Sequence, residues 1–583
     1  MATKMINLKI NNIPVQAPEG STILEAAKLA GIKIPTLCWL KDTNPIGACR
    51  MCLVEVKNAR GLCAACVYPI TEGMEVQTNT PRLRKTRKTN LELILSAHNK
   101  DCLACPKSMH CELQKLSYEY DCDTKAFAGA MPTVRKDTSS PSIARDTSKC
   151  ILCKRCSAVC TKVQNVRAID PMLRGFETYI GCAFGADIAQ TACVGCGQCT
   201  LVCPTGALVV KDDAQLLKEA IANPDLVTVV AIAPSVRVAL GEEFGMPIGT
   251  NVEGKTFTAL RRLGFDYVHD VDFGADLTIM EEGTEFINRV KNNGVLPLIT
   301  SCSPGWINYV TAFYPEFIPN LSTAKSPQNM QGACTKTYWA EKMKIDPKKI
   351  FFCSIMPCTA KKYEIKQRDN AVDGCYDVDA SISVRELGRW LKEAAIDFVN
   401  LPDSKPDDPL GQSTGAATIF GVTGGVMEAG LRTVADILTG QDLKGKAIEY
   451  KMIRGFKGIR EAKLTIAGKT FSLCSVSGLN NCSIVLENIK AGKKKYDWIE
   501  VMACPGGCVN GGGMPLHDPT EVPFALRAKL RGKALYKDDE RDVLRKSHQN
   551  PSIIKLYKEF FGEPGSKKAH HILHTSYKVR KFI

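Results

Sequence analysis

The sequence predicts an α/β domain with metal-binding loops at its strand ends, preceded by smaller α+β modules built around cysteine ligands. Two observations carry this. Cysteines recur at short, regular spacings between Cys38 and Cys203. Beyond about residue 211 they thin out, and apolar runs at 227–232, 295–299 and 350–355 alternate with helical patterns such as 259–263. With 583 residues and 45% hydrophobic content, the chain is long enough to bury several cores.

The N-terminal residues show no apolar signal region, and no run of eighteen apolar residues occurs anywhere, so neither export nor membrane spanning is expected. An odd count of 27 cysteines, many at CxxC spacing, points to thiolate metal ligands in a reducing, anaerobic cytoplasm rather than to disulfides; a hydrogenosomal location is also compatible. The net charge of +15 suits an acidic protein partner. No long basic run is interleaved with aromatics, so nucleic acid is not expected, and the stretches Lys493-Lys494-Lys495 and Lys567-Lys568 read as solvated surface.

Taken in order, 6–10 and Val15 around Asn11-Asn12 read as a hairpin, and 21–27 as a helix capped by Ser21. Cys38, Cys49, Cys52 and Cys66 follow, with Gly47 beside the loop ligands. This spacing resembles the plant-type ferredoxin module and implies a 2Fe-2S cluster; zinc is the alternative. A basic linker (Arg82, Arg84, Lys85, Arg87, Lys88) and a helical stretch at 91–95 lead to His98, Cys102, Cys105 and Cys111. That set resembles a His-ligated 4Fe-4S module, again with zinc as the alternative.

Cys150, Cys153, Cys156 and Cys160, then Cys193, Cys196, Cys199 and Cys203 before Pro204, form two C-x2-C-x2-C-x3-C runs. They are the signature of a two-cluster bacterial ferredoxin, in which the fourth cysteine crosses over. One 4Fe-4S cluster is therefore expected on Cys150, Cys153, Cys156 and Cys203, the other on Cys160, Cys193, Cys196 and Cys199.

Three motifs lie at predicted strand ends: Thr300-Ser301-Cys302-Ser303-Pro304-Gly305-Trp306, Met356-Pro357-Cys358-Thr359-Ala360-Lys361, and Met502-Ala503-Cys504-Pro505-Gly506-Gly507-Cys508 running into Gly511-Gly512-Gly513. Together they resemble the signature loops of the FeFe (iron-only) hydrogenases, in the long clostridial-type monomeric form with accessory clusters. The resemblance spans the whole chain and implies an H-cluster, a 4Fe-4S cubane bridged to a di-iron centre carrying CO, cyanide and azadithiolate. It assigns Cys358 and Cys504 to the cubane and Cys508 to the bridge. Lys361 can donate to a cyanide, Met356 and Met502 supply soft packing, and Pro234, Ser235 and Gln328 match positions near the diatomic ligands. The glycines after Cys508 are read as letting backbone approach the cluster.

Where that family's best-known pattern has two adjacent cysteines, this chain has Cys302-Ser303. Cys302 is both the expected proton relay and the preferred cubane ligand, with Ser303, Cys334 and Cys353 as the alternatives; serine is a poor iron-sulfur ligand. Glu282, Glu285, Ser322 and Arg289 match the family's proton channel, and Glu282, Glu285 and Arg289 would share one helix face. Read alone, such a run is more often an exposed face; the adjacent metal motifs reverse that and make it a proton relay.

Five units are expected: 1–82 (2Fe-2S), 83–125 (His/Cys3), 126–210 (two 4Fe-4S), 211–520 (H-cluster) and a helical 521–583, giving α+β ferredoxin-like modules ahead of the α/β domain. The implied reaction is reversible proton reduction to H2, with an acidic ferredoxin as electron partner and di-iron maturation proteins to build the centre. No G-x-G-x-x-G at a strand-to-helix turn is present, so the chain is not expected to bind NAD or flavin itself; the alternative enzyme reading makes it the catalytic subunit of an electron-bifurcating complex with flavin- and NAD-binding partner subunits. A nonenzymatic H2 sensor or an assembly relative is the alternative of a different class. His548, His570 and His571 are expected at the surface. Cys63, Cys122, Cys182, Cys334, Cys353, Cys375, Cys474 and Cys482 are read as small buried hydrophobes.

Overall fold

The computed structural model describes residues 4–367 and 369–583. The N-terminal module is a five-stranded sheet in the order Ile13–Pro18, Met5–Ile10, Glu75–Gln77, Leu53–Val56, Cys63–Ala64. The first two strands form the expected hairpin, pairing Ile6 with Ala17 and Leu8 with Val15. Alternate residues of each strand point into a core closed by the helix Ile23–Leu29. Thr22, not Ser21, caps that helix. Its hydroxyl accepts from Glu25 N–H while Glu25 takes Thr22 N–H, a reciprocal box open only to the residue three before a glutamate.

The expected basic linker is instead the first half of a sixteen-residue helix, Pro81–Ser96. Thr80 caps it and Pro81 starts it. Arg87 is buried, donating to Leu53 O at 2.6 Å and Thr78 O at 3.0 Å, so this basic run ties the helix to the first module.

Two four-stranded sheets form the large domain. The first is parallel throughout, ordered Tyr267–Asp270, Val227–Ile232, Ile350–Met356, Ala380–Ser383. Covered on both sides, its central strands are nearly continuous apolar runs. The second is ordered Leu298–Ile299, Trp498–Met502, Lys469–Ser477, with Ile459–Ile466 antiparallel at its edge. The strand expected over 295–299 starts only at Leu298, because Pro297 has no N–H for a ladder and Val295 is half exposed. Glu500 is buried on the central strand Trp498–Met502, and its carboxylate accepts Gly424 N–H at 2.6 Å and Met427 N–H at 2.8 Å, capping the helix Gly425–Thr439.

The C-terminal region is helical, as expected, over Phe524–Arg541, Pro551–Leu556 and Lys567–Leu573. His570 and His571 are exposed, but His548 is half-buried with Nε2 3.2 Å from Asp436. Of the unassigned cysteines, Cys182, Cys334, Cys353, Cys474 and Cys482 are buried, whereas Cys63, Cys122 and Cys375 are half-buried, because they lie on short edge strands or loop segments. Among the described residues no helix is long and apolar enough to cross a membrane.

Candidate metal centre

The carboxyl ends of both sheets turn toward one cavity. From the first sheet come Pro234 and Ser235 after Val227–Ile232, and Met356, Cys358 and Lys361 at the end of Ile350–Met356. The second contributes Cys302 and Ser303 after Leu298–Ile299, and Met502 and Cys508 around the end of Trp498–Met502. Gln328 closes the wall from the helix Pro327–Cys334. Open α/β sheets place ligands at strand ends for this reason: loops from separate strands converge there without interrupting the ladders. Phe420 and Gly421 also line the cavity and were not found from sequence. Their signal was the Gly421-Val422-Thr423-Gly424-Gly425 run: a Cβ on Gly421 would meet Ser235 Oγ at 2.5 Å.

Polar groups in the cavity are few and fixed. Lys361 Nζ donates to Glu364 at 2.8 Å and to the Cys302 carbonyl at 3.2 Å. Glu364 also accepts Gln328 Nε2 at 2.6 Å and Ser326 Oγ at 2.9 Å, and Ser354 holds the other end of the Gln328 amide at 2.8 Å. Ser235 Oγ is wholly buried with no partner. Burial pushes the Cys508 thiol up to about 12 and those of Cys302 and Cys504 well above the ordinary range; Cys504 faces Cys358, Cys196 and Cys508. Thiols so placed ionise when a metal takes the charge. Convergent thiols, one ammonium, one orphaned hydroxyl and thioether packing fit an anionic iron-sulfur centre with small polar ligands. Cys334 and Cys353 lie elsewhere, the first against Asp377 and Lys325, the second mid-strand opposite Val230 and Ala380.

On the other side of Cys302 lies the helix Val271–Lys291, which carries Glu282, Glu285 and Arg289 on one face. Glu282 is fully buried with no full hydrogen bond to either oxygen, and burial with the nearby Glu285 pushes it up to about 8 against the smaller opposing pull of the Ser322 hydroxyl and the Ser301 backbone beside it. Glu282 is also the first charged neighbour of the Cys302 thiol. Glu285 accepts Ser322 Oγ and Thr323 N–H, both at 3.0 Å, and pairs with Arg289 at 2.6 Å. Arg289 is held further by the carbonyls of Val295, Pro319, Asn320 and Leu321. The exposed-face reading of this run therefore fails.

The cysteine modules meet the large domain through the loop that carries Cys196. Cys52 and Cys66 sulfurs lie 3.3 Å apart, and Cys49 N–H points at Cys38 Sγ. Asn44 bridges this loop to the next, donating to Cys38 O at 2.7 Å and Cys153 O at 3.0 Å. Cys150, Cys153, Cys156 and Cys203 line one small cavity, while Cys199 faces Cys196, Cys193 and Cys160. Cys105 and Cys111 are neighbours, and Glu112 N–H donates to Pro204 O at 2.9 Å. His98 is buried with Nδ1 unpartnered, and burial lowers it to about 4, leaving the neutral imidazole; its charged neighbours are Lys149, Lys100 and Asp146.

The loop carrying Cys196 is bolted to the strand-end loops: Thr359 Oγ1 donates to Gly195 O at 2.6 Å, and Gln198 Nε2 to Asn510 O at 2.9 Å. Two of the glycines after Cys508 make close backbone contacts here. A Cβ on Gly512 would lie 2.3 Å from Cys196 O, and one on Gly511 2.2 Å from Pro357 O.

Comparison with known proteins agrees along the chain. "Iron only hydrogenase large subunit, C-terminal domain" matches residues 227–512 and "Iron hydrogenase small subunit" residues 526–580. Ahead of them, "2Fe-2S iron-sulfur cluster binding domain" matches 3–81, "NADH-ubiquinone oxidoreductase-G iron-sulfur binding region" 87–125 and "4Fe-4S dicluster domain" 149–207. The chain is 46% identical to the NADP-reducing hydrogenase subunit HndD of Solidesulfovibrio fructosivorans, across 99% of both. It is 40% identical to iron hydrogenase 1 of Clostridium pasteurianum, across 98% of this chain and 100% of that one. A solved structure of the [FeFe]-hydrogenase HydA1 from Chlamydomonas reinhardtii covers 63% of this chain and 99% of its own, with 37% identity and a TM-score of 0.57.

Proposed function

The chain belongs to the iron-only hydrogenases, in the long form with accessory iron-sulfur domains, and from that premise we propose that it reversibly reduces protons to H2 with electrons from an acidic ferredoxin. One observation carries the proton-reducing part of this: a thiol-lined cavity whose Cys302 adjoins the buried Glu282 and whose Cys358 loop is bolted to the loop that carries Cys196.

The H-cluster, when bound, supplies the chemistry that joins electrons to protons. The residues of this chain hold it and feed it. Cys358, Cys504 and Cys508 provide thiolates, and Lys361, fixed by Glu364, presents its ammonium to an anionic ligand. Ser235 offers a free hydroxyl, Gln328 sets an amide, and Pro234, Met356 and Met502 exclude water. Protons pass from the Arg289–Glu285 pair through Ser322 to Glu282 and on to Cys302 Sγ. A buried carboxyl near 8 is mostly protonated at neutral pH, as a donor must be.

This assigns Cys302 to the proton route and the cubane's fourth corner to Ser303, whose Oγ accepts Ala503 N–H at 3.2 Å beside Cys504. Cys38, Cys49, Cys52 and Cys66 would hold a 2Fe-2S cluster and His98, Cys102, Cys105 and Cys111 a 4Fe-4S cluster, each of which would supply one-electron transfer. Cys150, Cys153, Cys156 and Cys203, and Cys160, Cys193, Cys196 and Cys199, would hold the two ferredoxin-type 4Fe-4S clusters. Similarity to HndD favours a second reading, a catalytic subunit working beside flavin- and NAD(P)-binding subunits in an anaerobe's cytoplasm. Assays of the matured protein with reduced ferredoxin alone decide between them. H2 evolution supports the first reading; evolution only after adding NADPH and co-purified subunits supports the second. Absence of carbonyl and cyanide infrared bands overturns both.

A further inference from the structure

Glu281, the neighbour of Glu282 on the same helix, belongs to no part of the route above, yet it is only 1% exposed. Its carboxylate accepts Tyr557 OH and Gly565 N–H, the latter at 2.9 Å, and lies 3.0 Å from Nε2 of His574. The other ring nitrogen, Nδ1, is 2.8 Å from Thr323 Oγ1. Thr323 in turn touches Glu285, by its N–H at 3.0 Å and its hydroxyl at 3.4 Å. The C-terminal segment is locked here by backbone: Lys325 N–H donates to Leu573 O and Thr575 N–H to Thr323 O, both at 2.8 Å.

The donor inventory makes this chain directional. A carboxylate only accepts, so His574 carries a proton on Nε2 toward Glu281. In the neutral ring Nδ1 is then an acceptor, and the single Thr323 hydroxyl proton must go to it. Glu285 then has two donors on Oε2, Ser322 Oγ and Thr323 N–H. When His574 takes a second proton, Nδ1–H donates to Thr323 Oγ1, and the hydroxyl proton is free to turn to Glu285. A third donor favours the ionised carboxylate.

We propose that His574 is a positioning residue that sets the proton-holding strength of Glu285 by reversing the Thr323 hydroxyl. Glu281 fixes its tautomer. The groups facing it are Glu281 and Glu285 from the helix Val271–Lys291, with Arg289 on the far side of Glu285. Tyr557 joins it through Glu281, His570 stacks on it at 4.5 Å, and Cys334, beside Lys325 and Asp377, lies near Glu281. None of these is a ligand of an iron centre proposed above. The inference rests on Glu285 belonging to the proton route.

The test uses the full-length, cluster-loaded protein and follows two signals with pH: H2 evolution, and the carboxyl infrared band that Glu285→Gln removes. In His574→Gln and Thr323→Val the Glu285 band should titrate higher than in the parent by roughly one unit. Thr323→Ser should restore the parent titration, and the double variant should shift no further than either single one. Unchanged titration in both single variants, or additive shifts in the double, overturns the proposal. Should His574→Gln fail to fold, Thr323→Val and Thr323→Ser carry the test. If instead Glu285→Gln keeps full turnover, the proton route is wrong while the band still reports on His574, so the two failures are distinguishable.

Discussion

Gly512 packs on Cys196 so closely that a single added methyl group would sit 2.3 Å from the cysteine's carbonyl oxygen. The atoms opposed are backbone, which cannot swing aside as a side chain can. Gly512→Ala should therefore cost about 1–3 kcal/mol and lower the melting temperature by several degrees in calorimetry. A variant melting with the parent would mean that the two loops are free to separate.

Glu282→Gln keeps shape and burial but removes the exchangeable proton. Turnover should fall about 10²–10⁴-fold with iron content and infrared bands intact. Parental turnover would take Glu282 out of the route.

Ser303→Cys restores a thiol at the proposed fourth corner. Prepared without di-iron maturation, the variant should hold its cubane through dilution and chelator challenge better than the parent, with an altered EPR signal. Identical signals in Ser303→Cys and Ser303→Ala would show that residue 303 is not a ligand.

Asp276 is fully buried, with its two oxygens accepting Thr414 Oγ1 at 2.7 Å and Asn550 Nδ2 at 2.9 Å. Burial pushes it up to about 7 from an ordinary value of 3.8. The folded state then binds more protons than the unfolded one between those values, so stability falls as pH rises from about 4 through about 7. Asp276→Asn should match the parent near pH 4 and melt above it by a margin that grows up to pH 8. A margin that stays flat across that range would mean that Asp276 is already ionised in the fold.

Much of this site was legible because metal chemistry constrains spacing. Cysteines two or three residues apart in glycine-bearing loops have few other uses, and the strand-end motifs followed apolar runs that proved to be strands. Pairings across the chain were less legible. Ser21 and Thr22 are both good caps, and only the partner Glu25 decides between them. Arg87 read as linker charge because nothing local reveals that Leu53 O and Thr78 O await it. The close packing of Gly512 on Cys196 had no signal in the third loop, because the two lie some three hundred residues apart in sequence. His574 had no local signal at all; its partners come from a helix and a loop far upstream.

Asn44 joins the first cysteine loop to Cys153, and Glu112 joins the second to Pro204, so both N-terminal modules lean on the loops of one four-cysteine nest, Cys150, Cys153, Cys156 and Cys203. Loosening the loops that carry those four thiols should therefore unseat both N-terminal modules at once, whereas loosening either module alone leaves the other attached.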